Sequence, residues 1–182
     1  RTWDATDACN NHSATRTQVI TLVDTQAPVI GAAGNNATIE CTATPSFTAP
    51  TASDACNTYT VQQVGADITA GTACIRTITR TWNAVDACGN TSGTVAQTIT
   101  LVDTQAPTIG AAGNNATIDC TATPVFTAPT ASDDCNGTTI NLLSDVTAVN
   151  GCTTTITRTW DATDACNNHS ATRTQVITLV DT

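Results

Sequence analysis

The sequence predicts an all-β chain of tandem sandwich units, and three observations carry the prediction. The chain repeats itself with a period of about 79 residues, Thr, Val and Ile recur at strand spacing between short Gly, Asn, Asp and Pro breaks, and cysteines return at matching places in each period. Periodicity of this length marks a repeat architecture. The segment Arg1–Thr25 (RTWDATDACNNHSATRTQVITLVDT) is identical to Arg158–Thr182, and Arg80–Thr104 is a diverged copy. Between them lie two matching stretches, QAPVIGAAGNNATIECTATPSFTAPTASDAC ending at Cys56 and QAPTIGAAGNNATIDCTATPVFTAPTASDDC ending at Cys135.

The units are bounded at the LVDTQAP segments, Leu22–Pro28 and Leu101–Pro107. The residue before a Pro is driven to an extended conformation, which suits a short stiff connection. The expected division is therefore 1–25 as the C-terminal strands of a preceding repeat, 26–104 as one unit and 105–182 as a second. Within a unit, runs such as Thr98–Val102 read as strands, and Gly34-Asn35-Asn36, Pro45, Gly65, Gly71 and Gly89-Asn90 read as turns. Six or seven short strands in such a length predict an immunoglobulin-like β-sandwich.

Composition excludes several functions. The chain has 182 residues, 15 acidic against 6 basic, and a net charge of -9. Every basic residue is Arg, aromatics are 3%, and Thr is roughly a quarter of the chain, far above ordinary usage. Without a basic face it has no means of neutralising phosphates, so nucleic acid is excluded as a partner. No apolar run approaches a membrane span. No nucleophile has a base beside it in a repeated position, so the reading is not an enzyme.

Nine cysteines at positions 9, 41, 56, 74, 88, 120, 135, 152 and 166 point to an oxidising, extracellular or cell-surface location. The run from Cys74 to Cys88 reads as one long strand, whose ends would lie roughly 45 Å apart. That is too far for a disulfide between them. The run from Cys41 to Cys56 has nearly the same length. If the two runs are the B and F strands of an immunoglobulin-like unit, Cys41 meets Cys74 at one end and Cys56 meets Cys88 at the other. The second unit then gives Cys120–Cys152 and Cys135–Cys166, two disulfides per unit, with Cys9 as the odd ninth. Such bridges can stabilise a unit whose large core residues are few; closing a loop of some 30 residues contributes about 3–4 kcal/mol.

The pattern around Trp82, Ala84, Asp86, Gly89 and Asn90 (W-x-A-x-D-A-C-G-N), the turn Thr51–Cys56 (TASDAC) and the V-D-T-x-A-P connections resemble the hyalin-repeat (HYR-like) branch of immunoglobulin-like domains. The phrasing is most similar to repeats of giant Bacteroidota surface adhesins of the SprB-like gliding-motility type. The resemblance implies a secreted, repetitive surface protein exported by the type IX system. The sequence departs from typical hyalin repeats in placing Arg1, Arg80 and Arg158 two residues before the aromatic, and in lacking a Cys in the last strand.

Calcium at the unit junctions is the cofactor candidate. In this topology the linker of one unit meets the B–C and F–G loops of the next. That gathers Asp103 with Asp133, Asp134 and Asp164, and Asp24 with Asp54 and Asp86. Calcium takes six to eight oxygens, largely from carboxylates, carbonyls and water; the competing reading is that these Asp cap their own turns. Cys9/His12 and Cys166/His169 are weak zinc candidates, since the middle copy has Thr91 in place of the His and no second ligand pair is spaced to close a site. Arg80 shares a face with Trp82, either for ligand stacking or to cover the core with its stem. Six N-x-S/T sequons, at Asn11, Asn36, Asn90, Asn115, Asn136 and Asn168, leave glycosylation open.

The function expected is a structural stalk or filament of a long extracellular adhesin, giving reach and mechanical stability, with neighbouring repeats as its main partners. The alternative is a glycan- or protein-binding module, which would contact surface glycans or other filaments through its inter-strand loops.

Overall fold

The computed structural model describes residues 1–56 and 58–181. The described residues are all-β, with no helix among them. Between the two linkers run β3 (Val29–Ile30), β4 (Ala37–Glu40), β5 (Ala52–Ser53), β6 (Tyr59–Gln63), β7 (Ile68–Gly71), β8 (Ile75–Asp86) and β9 (Val95–Val102). They are preceded by β1 (Thr2–Trp3) and β2 (Arg16–Thr17). They are followed by β10 (Thr108–Ile109), β11 (Ala116–Asp119), β12 (Ala131–Ser132), β13 (Thr138–Asn150), β14 (Thr153–Asp164) and β15 (Arg173–Val180).

The main sheet of the first unit has the order β4-β9-β8-β6, with β7 also pairing β8. The edge strand β4 runs parallel to β9, and the other pairings are antiparallel. The second unit repeats this as β11-β15-β14-β13. There β13 fuses the counterparts of β6 and β7 into one strand with an irregularity between Leu142 and Ser144. The long run after Cys74 is a single twelve-residue strand, as a run with no Gly or Pro and with Thr77-Ile78-Thr79 at its heart predicts.

The run from Cys41 to Cys56 is a different matter. It is not a long strand: only Ala52–Ser53 pairs, with Val29–Ile30. Pro45 and Pro50 remove two backbone donors, so a continuous ladder cannot form. A side chain substitutes for it. Gln97, on the inward face of β9 and 4% exposed, accepts a hydrogen bond from the Thr48 N–H at 2.8 Å and donates one to the Asn35 carbonyl at 2.7 Å. Gln175 does the same with Thr127 and Asn114 in the second unit. The packing is so close that a Cβ on Gly34 would lie 2.8 Å from that of Thr48.

The thin second layer lies over Trp82, Ala84, Ile99 and Leu101, all buried. Phe47 meets Trp82 edge-on, with ring centroids 6.4 Å apart. Arg80 shares that face. Its guanidinium stacks 4.3 Å from the Phe47 centroid and is gripped by both oxygens of Asp67 at 2.8 and 2.7 Å. Arg158 repeats the arrangement with Phe126 and Asp145. These arginines complete the core edge, since stacking and ion pairing already occupy the guanidinium.

The disulfides correct the sequence expectation. Among the described residues Cys41 pairs with Cys135 and Cys74 with Cys166, across the junction instead of within units. The reason lies in the sheet order. Cys41 donates its N–H to the Val102 carbonyl on one side of the last strand, while the Cys74 carbonyl accepts from Asp103 on the other. With β9 between them, Cys41 and Cys74 stand two strand spacings apart, roughly 9–10 Å, beyond the reach of a disulfide. The Cα separations across the junction are 5.9 and 5.2 Å. Cys120 and Cys152, the counterparts of Cys41 and Cys74, are exposed and not disulfide-bonded, as are Cys9 and Cys56. The expected Cys56–Cys88 and Cys120–Cys152 bridges are therefore not formed either.

Candidate functional site

The residues that converge most tightly do so where the units meet. The building block is a five-residue loop, Asp-Ala-Cys-x-Asn, closing the hairpin that β8 and β9 form. Asp86 accepts hydrogen bonds from the N–H groups of Cys88 (2.9 Å) and Asn90 (2.8 Å), and from the Asn90 side-chain amide at 2.8 Å. Asp164 makes the same three bonds with Cys166 and Asn168. The fourth loop position is left-handed, with φ of 90° at Gly89 and 67° at Asn167, which is why Gly and Asn are the residues found there.

Burial acts to raise the carboxyls of Asp86 and Asp164. The hydrogen bonds from the following Asn, Cys and Gly or Asn outweigh it and hold both below the ordinary carboxylate range. These acids stay ionised at neutral pH inside the junction.

The loop also grips the linker. The Asn90 amide donates to the Asp24 carbonyl, and the Asn168 amide to that of Asp103. At the first junction Asp24, Asp54 and Asp86 come together, one carboxylate oxygen of each within 4.8 Å of the others. Asp24 and Asp54 each also accept a turn N–H, from Gln26 and Cys56. At the second junction Asp103, 7% exposed, groups with Asp164 and Cys166, and also with Cys41 and Cys135. Its outer oxygen accepts the Asn136 amide at 2.7 Å. Asp133 caps its own turn through the N–H groups of Cys135 and Asn136. Asp134 is exposed, and neither belongs to these groups. An all-carboxylate trio at the first junction is a hard-oxygen donor set that fits calcium; the second junction brings two carboxylates together amid sulfur.

The zinc candidates separate. Cys166 is bridged to Cys74, and His169 Nδ1 turns to Asp161 at 2.8 Å. Of the sequon asparagines, Asn36 and Asn115 each accept an N–H from the last strand, from Thr98 and Val176, and so tie the edge strand down.

Sequence reasoning missed three features here: the glutamine clamps, the asparagine amides on the linker carbonyls, and bridges that cross the junction. Gln97 carried a signal, since it falls in phase with inward Ile99 and Leu101. So did the Asn of the five-residue loop, which recurs in all three copies.

The architecture is that of tandem immunoglobulin-like sandwiches, with the first edge strand parallel to the last. Residues 29–101 match the family described as an HYR-like domain with 4 cysteines. Among solved structures, the human protocadherin-24 EC1-2 fragment is similar over 86% of this chain and 99% of its own, at 12% identity and a TM-score of 0.38. The Drosophila N-cadherin EC1-4 fragment is similar over 86% of this chain, at 12% identity and a TM-score of 0.35; the chain spans 50% of that fragment's length. No curated protein matches the sequence.

Proposed function

We propose that these units are spacer repeats of an extracellular, adhesion-type surface filament, and that the junction is their working part. The observation that carries the reading is the linker Asp103, buried between units and flanked on both sides by bridges joining one unit to the next. A chain built for loop-mediated binding has no need to fix successive units against each other; a spacer does. The HYR-like match supports the adhesion-type class, and the cysteine content supports an extracellular setting. The repeat phrasing further supports a Bacteroidota gliding-motility adhesin. The unit boundaries proposed are those of the sequence, 26–104 and 105–182.

Calcium is the proposed junction ion, held by Asp24, Asp54 and Asp86. When bound it would bring positive charge to the three converging carboxylates. Asn90 orients the group by fixing both Asp86 and the Asp24 carbonyl. A thermal melt in EDTA and then in millimolar calcium checks this, because an ion bound by the native state alone raises the midpoint. The expected result is a rise of several degrees that Asp54→Asn abolishes; no rise removes calcium from the account. The spacer role is checked by binding to immobilised glycans and surface filaments. No saturable binding is expected, and saturable binding that is lost on exchanging the Cys88–Gly93 loop would overturn it.

A further inference from the structure

The cysteine spacing and the two crossing bridges together imply a mechanical property that neither shows alone. Within each unit the cysteines sit at the two ends. Cys41 and Cys74 flank the end of β9, Cys120 stands at the matching place beside Val180, and Cys135 and Cys166 lie at the opposite end of their unit, against the preceding linker. The chain from Cys120 to Cys135 therefore runs the length of the unit in 15 residues, and that from Cys152 to Cys166 does so in 14. The corresponding intervals in the first unit, Cys41 to Cys56 and Cys74 to Cys88, are again 15 and 14. Each bridge then joins the start of one such interval to the end of another in the next unit.

From this we infer that an array of these units is two covalently continuous tracks, each of only 14 or 15 residues per repeat, so that the oxidised filament is nearly inextensible. The folded unit is about 40 Å long, the length of a twelve-residue strand. A 15-residue track reaches at most about 50 Å when fully drawn out, whereas an unbridged unit of 79 residues would reach about 270 Å. Force that unfolds a unit thus gains little length. The exposed Cys120 and Cys152 are the open half of the next such junction, and their partner is the Cys135- and Cys166-like pair of a following repeat. Each bridge forms when two thiols lose two electrons and two protons to a disulfide oxidant, which leaves as two thiols. The inference deepens the spacer reading but stands on the bridges alone. Ligand binding by the loops would overturn the spacer role and leave the tracks intact.

The test is to stretch the full chain by its two ends, one molecule at a time. Oxidised, it should stop short by the 94 residues that the Cys41–Cys135 bridge encloses, roughly half of its fully extended length. With Cys41→Ser and Cys135→Ser it should still withhold the 92 residues enclosed by Cys74–Cys166, and with all four cysteines replaced it should extend completely. A chain lengthened by a second copy of residues 105–182 should gain about 50 Å when oxidised and about 270 Å when reduced. Two separate losses of about 30 residues each, one in each unit, are the signature of bridges within units and would overturn the inference. So would equal extension of the oxidised and reduced chains, or a gain of about 270 Å from the oxidised third unit.

Discussion

Arg1–Thr25 and Arg158–Thr182 have the same sequence, and their described residues adopt different structures. In the second, Trp160 is 5% exposed and Ile177 2%, within strands of twelve and eight residues. In the first, Trp3 is 48% exposed and Ile20 76%, and the pairing is a two-residue ladder, Thr2–Trp3 with Arg16–Thr17, and a single bridge between Thr6 and His12. The counterparts of β11, β13 and Phe126 that would cover it are not among the residues of this sequence. One part of the segment is nevertheless unchanged. Asp7 accepts from the N–H groups of Cys9 and Asn11 and from the Asn11 amide, each at 2.9 Å, and Asn10 keeps the left-handed φ of 64°. The loop that builds the junction is encoded locally, whereas the strands behind it exist only when another part of the unit lies beside them. Strand preference expresses packing against neighbours more than an intrinsic backbone choice.

The largest way to test that contrast is to truncate the paired tryptophans. Trp160→Ala should destabilise the second unit by about 3–5 kcal/mol, while Trp3→Ala should leave the denaturant midpoint unmoved. Equal effects would mean that Arg1–Thr25 packs after all. Next come the glutamines. Gln175→Ala strands the Thr127 N–H and the Asn114 carbonyl and should cost about 1–3 kcal/mol. Gln18→Ala, at the matching exposed position, should cost nothing measurable.

The smallest effect sharpens what the two segments share. Hydrogen bonds led by the Asn11 side chain hold the Asp7 carboxyl below its ordinary value, and Asp164 is held low against the opposing effect of burial. Both should titrate below the ordinary aspartate range by NMR. A carboxyl lowered in the folded state stabilises above its unfolded pKa, and that contribution is lost as pH falls through the folded value. The contribution of Asp164 to the second unit's stability should therefore be fully present above about pH 4 and be lost progressively below it. An ordinary Asp7 titration would show that its loop does not persist without a core.

These contrasts explain what was legible in the sequence. The long strand β8 could be read because a dozen residues run without a breaker. The loop could be read as a turn because its Asp, Gly and Asn act on their own backbone. The direction of the chain through the sandwich also anticipates the meeting of Asp24, Asp54 and Asp86, which share one end. The run from Cys41 to Cys56 was misread as a strand because its prolines are compensated by Gln97, some fifty residues away. Cysteine pairing was misread because matching interval lengths favour bridges across one sandwich. They equally suit bridges from one sandwich to the next, and only the position of β9 between Cys41 and Cys74 decides.

The most direct measurement is disulfide mapping of the oxidised chain, digested without reduction and read by mass spectrometry. The account predicts linked peptides carrying Cys41 with Cys135 and Cys74 with Cys166. Peptides joining Cys41 to Cys74 and Cys135 to Cys166 would contradict it, and return the bridges to the interiors of the units.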